Sequence, residues 1–203
     1  MLRSVIISGP PAIGKTTIAK GLGEEFGLKY LSGGDVLKEL AKDQGFETDN
    51  DDFWDTEEGM SFLNIRKGNS EFDKEVDEKL KKIFLTEDVI ITSYTLPWLV
   101  KDGIKIWLAG SHENSAKRMT IRDSISVQDA LKIVKKRYDE NKTLYKKLYG
   151  FNFGEDLSVF DKIINTDDLG PEQVLEQAKN AVRHYYDTQT ITKSYSNRPR
   201  HHK

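Results

Sequence analysis

The chain has 203 residues, enough for one domain with a substantial core and too few for two large domains. Charged residues make up 32% of it but the formal net charge is only −2, so the molecule has no overall field that would draw it to nucleic acid or to an anionic membrane. It has no cysteine and no apolar run long enough for a signal peptide or a membrane-spanning helix, so disulfides and thiolate sites are excluded and a cytoplasmic protein is expected.

The first part of the chain alternates short apolar runs with amphipathic helical patterns. Residues 2–8 are rich in Val and Ile and lead into a glycine loop, which predicts a buried strand. The spacing of apolar residues over 15–26 predicts a helix, and Gly27 ends it. A second strand is predicted over 28–32 and a second helix over about 35–44.

The segment 46–70 interrupts this alternation. It is acidic and aromatic, and we interpret it as an insertion that carries its own short helix. After the insertion, apolar residues recur at helical spacing over 72–83, and residues 89–92 form a third β-type run.

The second half of the chain continues the alternation of strands and helices. Strands are predicted at 104–109 and near 159–165, and helices at about 113–122, 126–149 and 171–186. Strands that alternate with helices form βαβ units, so the sequence predicts an α/β fold with a five-stranded, mostly parallel sheet and helices on both faces.

The composition changes after Asp187. Residues 188–203 contain four Lys or Arg and no acidic residue, which predicts a folded domain over 1–187 followed by a basic, disordered tail. Such a tail is usually a solvated terminus, so nucleic-acid binding is expected only weakly and only through it.

The strongest functional signal is a glycine-rich loop between the first strand and the first helix. It matches G-x-x-x-x-G-K-[ST] with Gly9, Pro10, Pro11, Ala12, Ile13, Gly14, Lys15 and Thr16. The glycines let successive backbone N–H groups face inward at the positive end of the helix dipole, where a phosphate fits. The pattern predicts ATP binding, with Lys15 on the β- and γ-phosphates, Thr16 on Mg²⁺ and Thr17 on the α-phosphate.

A second candidate group is made of arginines. Arg118, Arg122 and Arg137 fall within one stretch of twenty residues, and the first two share one helical face. A guanidinium binds phosphate oxygens in a bidentate manner, so all three are candidates for stabilising a phosphoryl group in transfer. The alternative is a surface helix in which Arg122 pairs with a neighbouring carboxylate.

Smaller signals come from residues at predicted helix starts. Asp35 follows Gly33 and Gly34 at the end of the second strand, where a parallel sheet holds ligands, so it is a candidate for binding substrate or the waters of Mg²⁺; the alternative is a helix N-cap. Ser111 next to His112 is interpreted as a cap rather than as a catalytic pair.

Several segments together resemble the archaeal-type cytidylate kinases over about residues 1–185. The resemblance rests on the glycine loop and on residues 32–41, 72–77, 106–108, 118–123 and 148–150. It implies a P-loop kinase-like three-layer fold, a monophosphate-binding region after the second strand and a helical lid at about 112–150. It also implies, for Lys15, Thr16, Asp35, Arg118, Arg122 and Arg137, the same roles that the residues themselves suggest above.

Three positions depart from the pattern of that family. Lys38 stands where the family usually has arginine, Ser93-Tyr94-Thr95 replaces a Gly-Arg-Leu sequence, and Leu144 replaces another arginine. Fewer cations are therefore available to bind a monophosphate, and Arg66 or Lys67 in the insertion is a candidate to replace them, together with Lys38 and Arg137.

The sequence thus predicts a Mg²⁺-ATP-dependent nucleoside monophosphate kinase acting on CMP or dCMP. A P-loop kinase for another nucleotide or a small-molecule acceptor is one alternative, and a nucleotide-switched, RNA-associated module is another. Nothing in the sequence specifies an oligomeric state.

Overall fold

A five-stranded parallel sheet forms the centre of the molecule in a computed structural model, which describes residues 2–48, 61 and 70–196. The strands are β1 (Val5–Ser8), β2 (Lys29–Ser32), β3 (Val89–Thr92), β4 (Ile104–Ala109) and β5 (Lys162–Asn165). Their order is β2-β3-β1-β4-β5, and every neighbouring pair is parallel. The predicted α/β fold class is confirmed.

Seven helices connect and cover the strands within the described residues. They are α1 (Lys15–Phe26), α2 (Gly33–Asp43), α3 (Glu71–Thr86), α4 (Leu96–Leu99), α5 (His112–Asp123), α6 (Val127–Tyr149) and α7 (Pro171–Ser196). Helix α4 is a single turn that the sequence analysis did not anticipate.

The alternation of side chains along β1 separates two cores. Val5 and Ile7 belong to one buried cluster with residues of α1 and α7, whereas Ile6 belongs to another with residues of α2 and α3. Successive residues of a strand point to opposite faces, so the continuous apolar run of β1 is buried by helices on both sides. This arrangement gives three layers and brings the carboxyl ends of all five strands to one edge.

The start of α2 differs from the prediction by two residues for a local reason. The Ser32 hydroxyl accepts from the Asp35 backbone N–H at 3.1 Å, and the Asp35 carboxylate accepts from the Ser32 N–H at 2.8 Å. This is a capping box, so Ser32 is the N-cap and Asp35 is the third residue of the helix.

The first part of the segment predicted to be a disordered tail is helical. Helix α7 continues to Ser196 instead of ending near residue 186, so residues 188–196 are helical. Composition suggested disorder, but this stretch contains neither Gly nor Pro, and Pro199 is the first residue that opposes a helix. Residues 197–203 lie outside the described part of the chain.

Most of the predicted insertion, residues 49–60 and 62–69, also lies outside the described residues. The helical pattern predicted after it corresponds to α3. In the described ranges, no helix combines the length and the apolar character that crossing a membrane requires.

Candidate active site

The glycine loop connects β1 to α1 at the carboxyl edge of the sheet. Gly9, Ala12 and Gly14 all have positive φ, at 147°, 58° and 101°. A Cβ on Gly9 would lie 2.4 Å from the backbone oxygen of Leu108 in β4. The first glycine is therefore required both by its backbone conformation and by the close approach of the neighbouring strand.

Lys15 is folded back onto its own loop. Its Nζ donates to the backbone oxygens of Gly9 at 3.0 Å and Pro10 at 2.7 Å, and it lies 4.5 Å from the centre of the Tyr94 ring. Burial, with a contribution from the charge of Arg137, lowers the pKa of Lys15 below its usual value. The lysine is thus placed beside both the loop and the wall of the neighbouring cavity.

Thr16 and Thr17 are exposed in the first turn of α1. No side chain of the described residues caps this helix, so its first N–H groups can bind an anion. The described residues also contain no cluster of acidic or histidine side chains that could hold a metal by itself. The exposed Thr16 hydroxyl lies in the first turn of α1, beside the loop, and one protein hydroxyl together with nucleotide phosphates can hold Mg²⁺, so the residue fits the ion and its role stays a prediction.

A cavity of about 310 Å³ opens next to Lys15 at the carboxyl ends of β2 and β3. Its wall includes two cations, Lys15 and Arg137, and two carboxylates, Asp73 and Asp77. Hydroxyl groups and a few apolar side chains complete the lining, among them Ser32, Thr92, Ser93, Thr95, Leu37 and Leu80. A polar molecule that carries both negative charge and hydrogen-bond donors matches these walls.

The carboxylates of the cavity come from the buried side of α3. Asp73 and Asp77 are one helical turn apart and are only 9% and 6% exposed. Asp77 accepts hydrogen bonds from the hydroxyls of Thr95 and Tyr149, the latter at 2.6 Å. Burial, together with the hydrogen bond to Asp77, raises the pKa of Tyr149, so it is a donor at neutral pH. These bonds fix the Asp77 carboxylate in the wall.

Tyr94 lies between the cations and an aromatic cluster. Its ring contacts Phe153 edge-on at 5.6 Å and Tyr145 at 6.3 Å. Burial favours a raised pKa for Tyr94, but the charges of Lys15 and Arg137 and hydrogen bonding to both together outweigh burial and hold the pKa below its usual value. The tyrosine is therefore close to both cations of the cavity.

The three predicted arginines occupy different places. Arg137 lines the cavity with Lys15. Arg118 donates to the backbone oxygen of Thr166 at 2.9 Å, beyond the end of β5. Arg122 is exposed and makes two hydrogen bonds with Asp123, which is the surface pair foreseen as the alternative. The structure brings one of the three to Lys15, and catalytic roles for Arg118 and Arg122 remain predictions.

The predicted acceptor-binding residues are also divided. Gly33 lines the cavity, but Asp35 and Lys38 are not among the described residues in its wall, and the Asp35 carboxylate is engaged in the capping box. Arg66 lies outside the described residues. Its predicted role, like those of Asp35 and Lys38, stays a prediction.

Ser111 has the capping role that the sequence predicted. It is the N-cap of α5, and its hydroxyl accepts from the Asn114 backbone N–H at 3.2 Å. The Asp167 carboxylate accepts from the Ser111 N–H at 2.8 Å and from the Asn114 side chain at 2.8 Å. The loop after β5 thus anchors the first of the two helices predicted to form a lid.

Sequence reasoning missed Asp73, Asp77 and Tyr149 as site residues. The sequence did contain a signal for the two aspartates. Each of them directly follows a residue of the apolar helical pattern formed by Phe72, Val76 and Leu80. An acidic residue at the border of a buried stripe is turned partly toward the interior. The contact of Tyr149 with Asp77 joins residues 72 positions apart and has no counterpart in a local pattern.

Comparison with known proteins shows which family and which folds the chain is similar to. The model of the cytidylate kinase-like family matches residues 4–168. A cytidylate kinase of Sulfurisphaera tokodaii is 36% identical over 176 residues, which cover 84% of this chain and 89% of that protein. A cytidylate kinase of Ignicoccus hospitalis is 33% identical over 184 residues, covering 88% and 98%.

Solved structures show the same fold at lower sequence identity. A gluconokinase from Sinorhizobium meliloti 1021 superposes with a TM-score of 0.57 at 12% identity, covering 93% of this chain and 96% of that one. A shikimate kinase from Aquifex aeolicus gives 0.54 at 17% identity, covering 90% and 98%. At these identities the likeness concerns the fold alone.

Proposed function

Because the chain belongs to the cytidylate kinase-like family, whose members are phosphotransferases, we propose that this nucleoside monophosphate kinase transfers the γ-phosphoryl group of ATP to CMP or dCMP. The observation that carries the proposal is the cavity that joins Lys15 of the phosphate-binding loop to Arg137 and to the carboxylates of α3. Both substrates would meet at this edge of the sheet.

The loop provides the donor side of the reaction. Its backbone N–H groups and Lys15 bind the phosphates of ATP, and the first turn of α1 adds a favourable dipole. Mg²⁺ bound at Thr16 would neutralise charge on the β- and γ-phosphates. These groups act by position and charge, and no covalent intermediate on the protein is needed.

The cavity provides the acceptor side. The phosphate of the monophosphate would lie against Arg137 and Lys15, because a dianion that loses water must gain cationic partners. The Asp73 and Asp77 carboxylates accept hydrogen bonds and cannot donate them when ionised. They therefore suit a base with an exocyclic amino group, such as cytosine, better than a base with a carbonyl at that position.

The small number of cations in the cavity supports a second candidate for the phosphoryl acceptor. Tyr94 lies in the cavity wall at a position where the cytidylate kinases usually have arginine. Leu144, which also replaces an arginine, packs in the aromatic cluster and carries no charge. A cavity with fewer cations holds a dianion less firmly. A small-molecule acceptor without a phosphate is therefore the second candidate.

A coupled assay of ADP formation across all ribo- and deoxyribonucleoside monophosphates tests the proposal. We expect turnover with CMP or dCMP, and we expect Lys15→Ala to abolish it because the loop loses its cation for the transferred phosphoryl group. Lys20→Ala on the exposed side of α1 is the matched control and should keep full activity.

Circular dichroism should show an unchanged fold in both variants. Turnover that persists in Lys15→Ala would contradict the assignment of the loop. ADP formation with a sugar or another alcohol, but with no monophosphate, would support the second candidate instead.

A further inference from the structure

The contact between Lys15 and Tyr94 joins the ATP-binding loop to the acceptor cavity. We propose that Tyr94 is a positioning residue that holds Lys15 in a withdrawn position on its own loop when ATP is absent. The consequence is weaker ATP binding and slower ATP hydrolysis without acceptor. This role concerns the loop and does not depend on which acceptor the enzyme uses.

The three hydrogen atoms of the lysine ammonium group determine where Lys15 can act. Two of the directions are used by the backbone oxygens of Gly9 and Pro10, at 3.0 Å and 2.7 Å. The Tyr94 ring covers the ammonium group at 4.5 Å. An ammonium held in this way must give up at least one of these partners before it can donate to two phosphates at once.

The Tyr94 ring can keep Lys15 in the withdrawn position because neighbouring aromatic rings fix the Tyr94 ring in place. Phe153 contacts it edge-on at 5.6 Å, and Tyr145 packs against it at 6.3 Å. Both neighbours belong to the aromatic cluster beneath the cavity. The ring is therefore a fixed part of the wall, and Lys15 is the partner that moves.

The electrostatic surroundings are consistent with a resting position. Burial and the nearby charge of Arg137 both lower the pKa of Lys15, so the ammonium is less well solvated here than in water. The face of an aromatic ring attracts a cation, and the attraction grows when water is excluded. The phosphates of ATP are stronger partners, so ATP binding releases the lysine at a cost in affinity.

The size of that cost sets the expected effect. A cation–π contact shifts an equilibrium between two positions by roughly two- to thirtyfold. Replacing the ring by an aliphatic side chain should tighten ATP binding by this factor, because the withdrawn position loses one of its partners. The Tyr94 hydroxyl also interacts with Lys15, so removing only the hydroxyl should give a gain that is smaller than the gain from removing the whole ring.

The test uses Tyr94→Leu and Tyr94→Phe in the full chain, with isothermal titration calorimetry of a non-hydrolysable ATP analogue and an ATPase assay without acceptor. Tyr94→Leu should lower the Kd, and raise the hydrolysis rate at ATP concentrations below the Kd, by roughly two- to thirtyfold, whereas Tyr94→Phe, which keeps the ring, should show a smaller gain. The double variant Lys15→Ala, Tyr94→Leu should lose both gains, because they act through the lysine.

An unchanged or higher Kd in a folded Tyr94→Leu protein would overturn the proposal. So would an equal gain in Tyr94→Phe, or a gain that persists without Lys15. If Tyr94→Leu does not fold, Tyr94→Met makes the same comparison with a longer and more flexible side chain that adapts better to the space of the ring.

Discussion

At the scale of single residues, the site depends on buried polar groups, each of which is held by more than one partner. Asp77 is fixed by two hydroxyl donors, Thr95 and Tyr149, and Lys15 by two backbone oxygens and a ring. A buried charge without partners is costly, so each contact defines where the charged group can point. The positions of the charges in the cavity are therefore a property of the folded protein before substrate binds.

The carboxylates of α3 give a prediction about base selectivity. Asp73→Asn replaces an acceptor-only group by an amide that can also donate to a carbonyl. We expect the ratio of kcat/KM for CMP over UMP to fall by roughly tenfold or more, the size of one hydrogen bond to a charged group. Initial rates with CMP, dCMP and UMP measure it.

Glu75→Gln, an exposed carboxylate on the same helix, is the matched control for Asp73→Asn and should leave the ratio unchanged. A loss with CMP that is absent with dCMP would mean that Asp73 holds the ribose 2′-hydroxyl. An unchanged ratio in Asp73→Asn would remove the carboxylate from base recognition.

At the scale of elements, local patterns were sufficient to predict the arrangement of strands and helices. The bounds of α1, β3 and β4 agree with the apolar spacing of the sequence, because these elements are buried and their pattern is strong. Helix α7 was predicted too short because composition was weighed above the absence of a helix breaker. Helix α4 is one turn long, which is too short for a periodic signal.

The site was less predictable than the fold, for a physical reason. The glycine loop is a local motif and was recognised from its spacing. The cavity is assembled by contacts between distant positions, such as Tyr149 with Asp77 and Lys15 with Tyr94. The sequence alone also could not show which of the arginines on α5 and α6 reaches the cavity. In the structure Arg137 lines the cavity, and Arg122 pairs with Asp123.

The anchor of α5 on the loop after β5 leads to a prediction about stability. Backbone and side-chain hydrogen bonds from Ser111 and Asn114 lower the pKa of Asp167. The folded state therefore prefers the ionised form, so the stabilisation is complete above the ordinary pKa of aspartate and is lost as the pH falls through the folded pKa. Asp167→Asn should lower the free energy of unfolding by about 1–2 kcal/mol at neutral pH.

The difference between wild type and Asp167→Asn should shrink as the pH falls below about 4, the usual pKa of aspartate. Urea unfolding at a series of pH values measures this. Asp168→Asn on the neighbouring exposed residue should change stability by less than about 0.5 kcal/mol. A difference that is independent of pH would show that Asp167 does not act through its charge.

At the scale of the whole molecule, the parallel sheet separates the site from the end of the chain. The glycine loop, the cavity and the start of α7 all lie at the carboxyl edge of the strands. Helix α7 then runs back along the sheet, and the Tyr186 hydroxyl donates to the backbone oxygen of Arg3, ahead of β1, at 2.7 Å. Residues beyond 187 therefore begin at the opposite, amino edge.

This separation predicts that removing residues 188–203 leaves catalysis intact. The kcat and both KM values should match those of the full chain, because, among the residues that the structure describes, no group that lines the cavity or forms the loop follows residue 145. The truncation also removes the hydrogen bond that the Thr188 hydroxyl donates to the Tyr185 backbone oxygen. RNA binding by the full chain should be weak, because the four positive charges of residues 188–203 contact at most about four phosphates. A plot of the logarithm of the RNA-binding constant against the logarithm of the salt concentration should have a slope no steeper than about −3. Filter binding of single-stranded RNA at several salt concentrations, beside the kinetic assay, measures both. A truncated protein that keeps its fold but loses turnover would place the end of α7 in the catalytic cycle. Tight RNA binding that survives truncation would show that the tail is not its cause, and would favour the alternative function as an RNA-associated module.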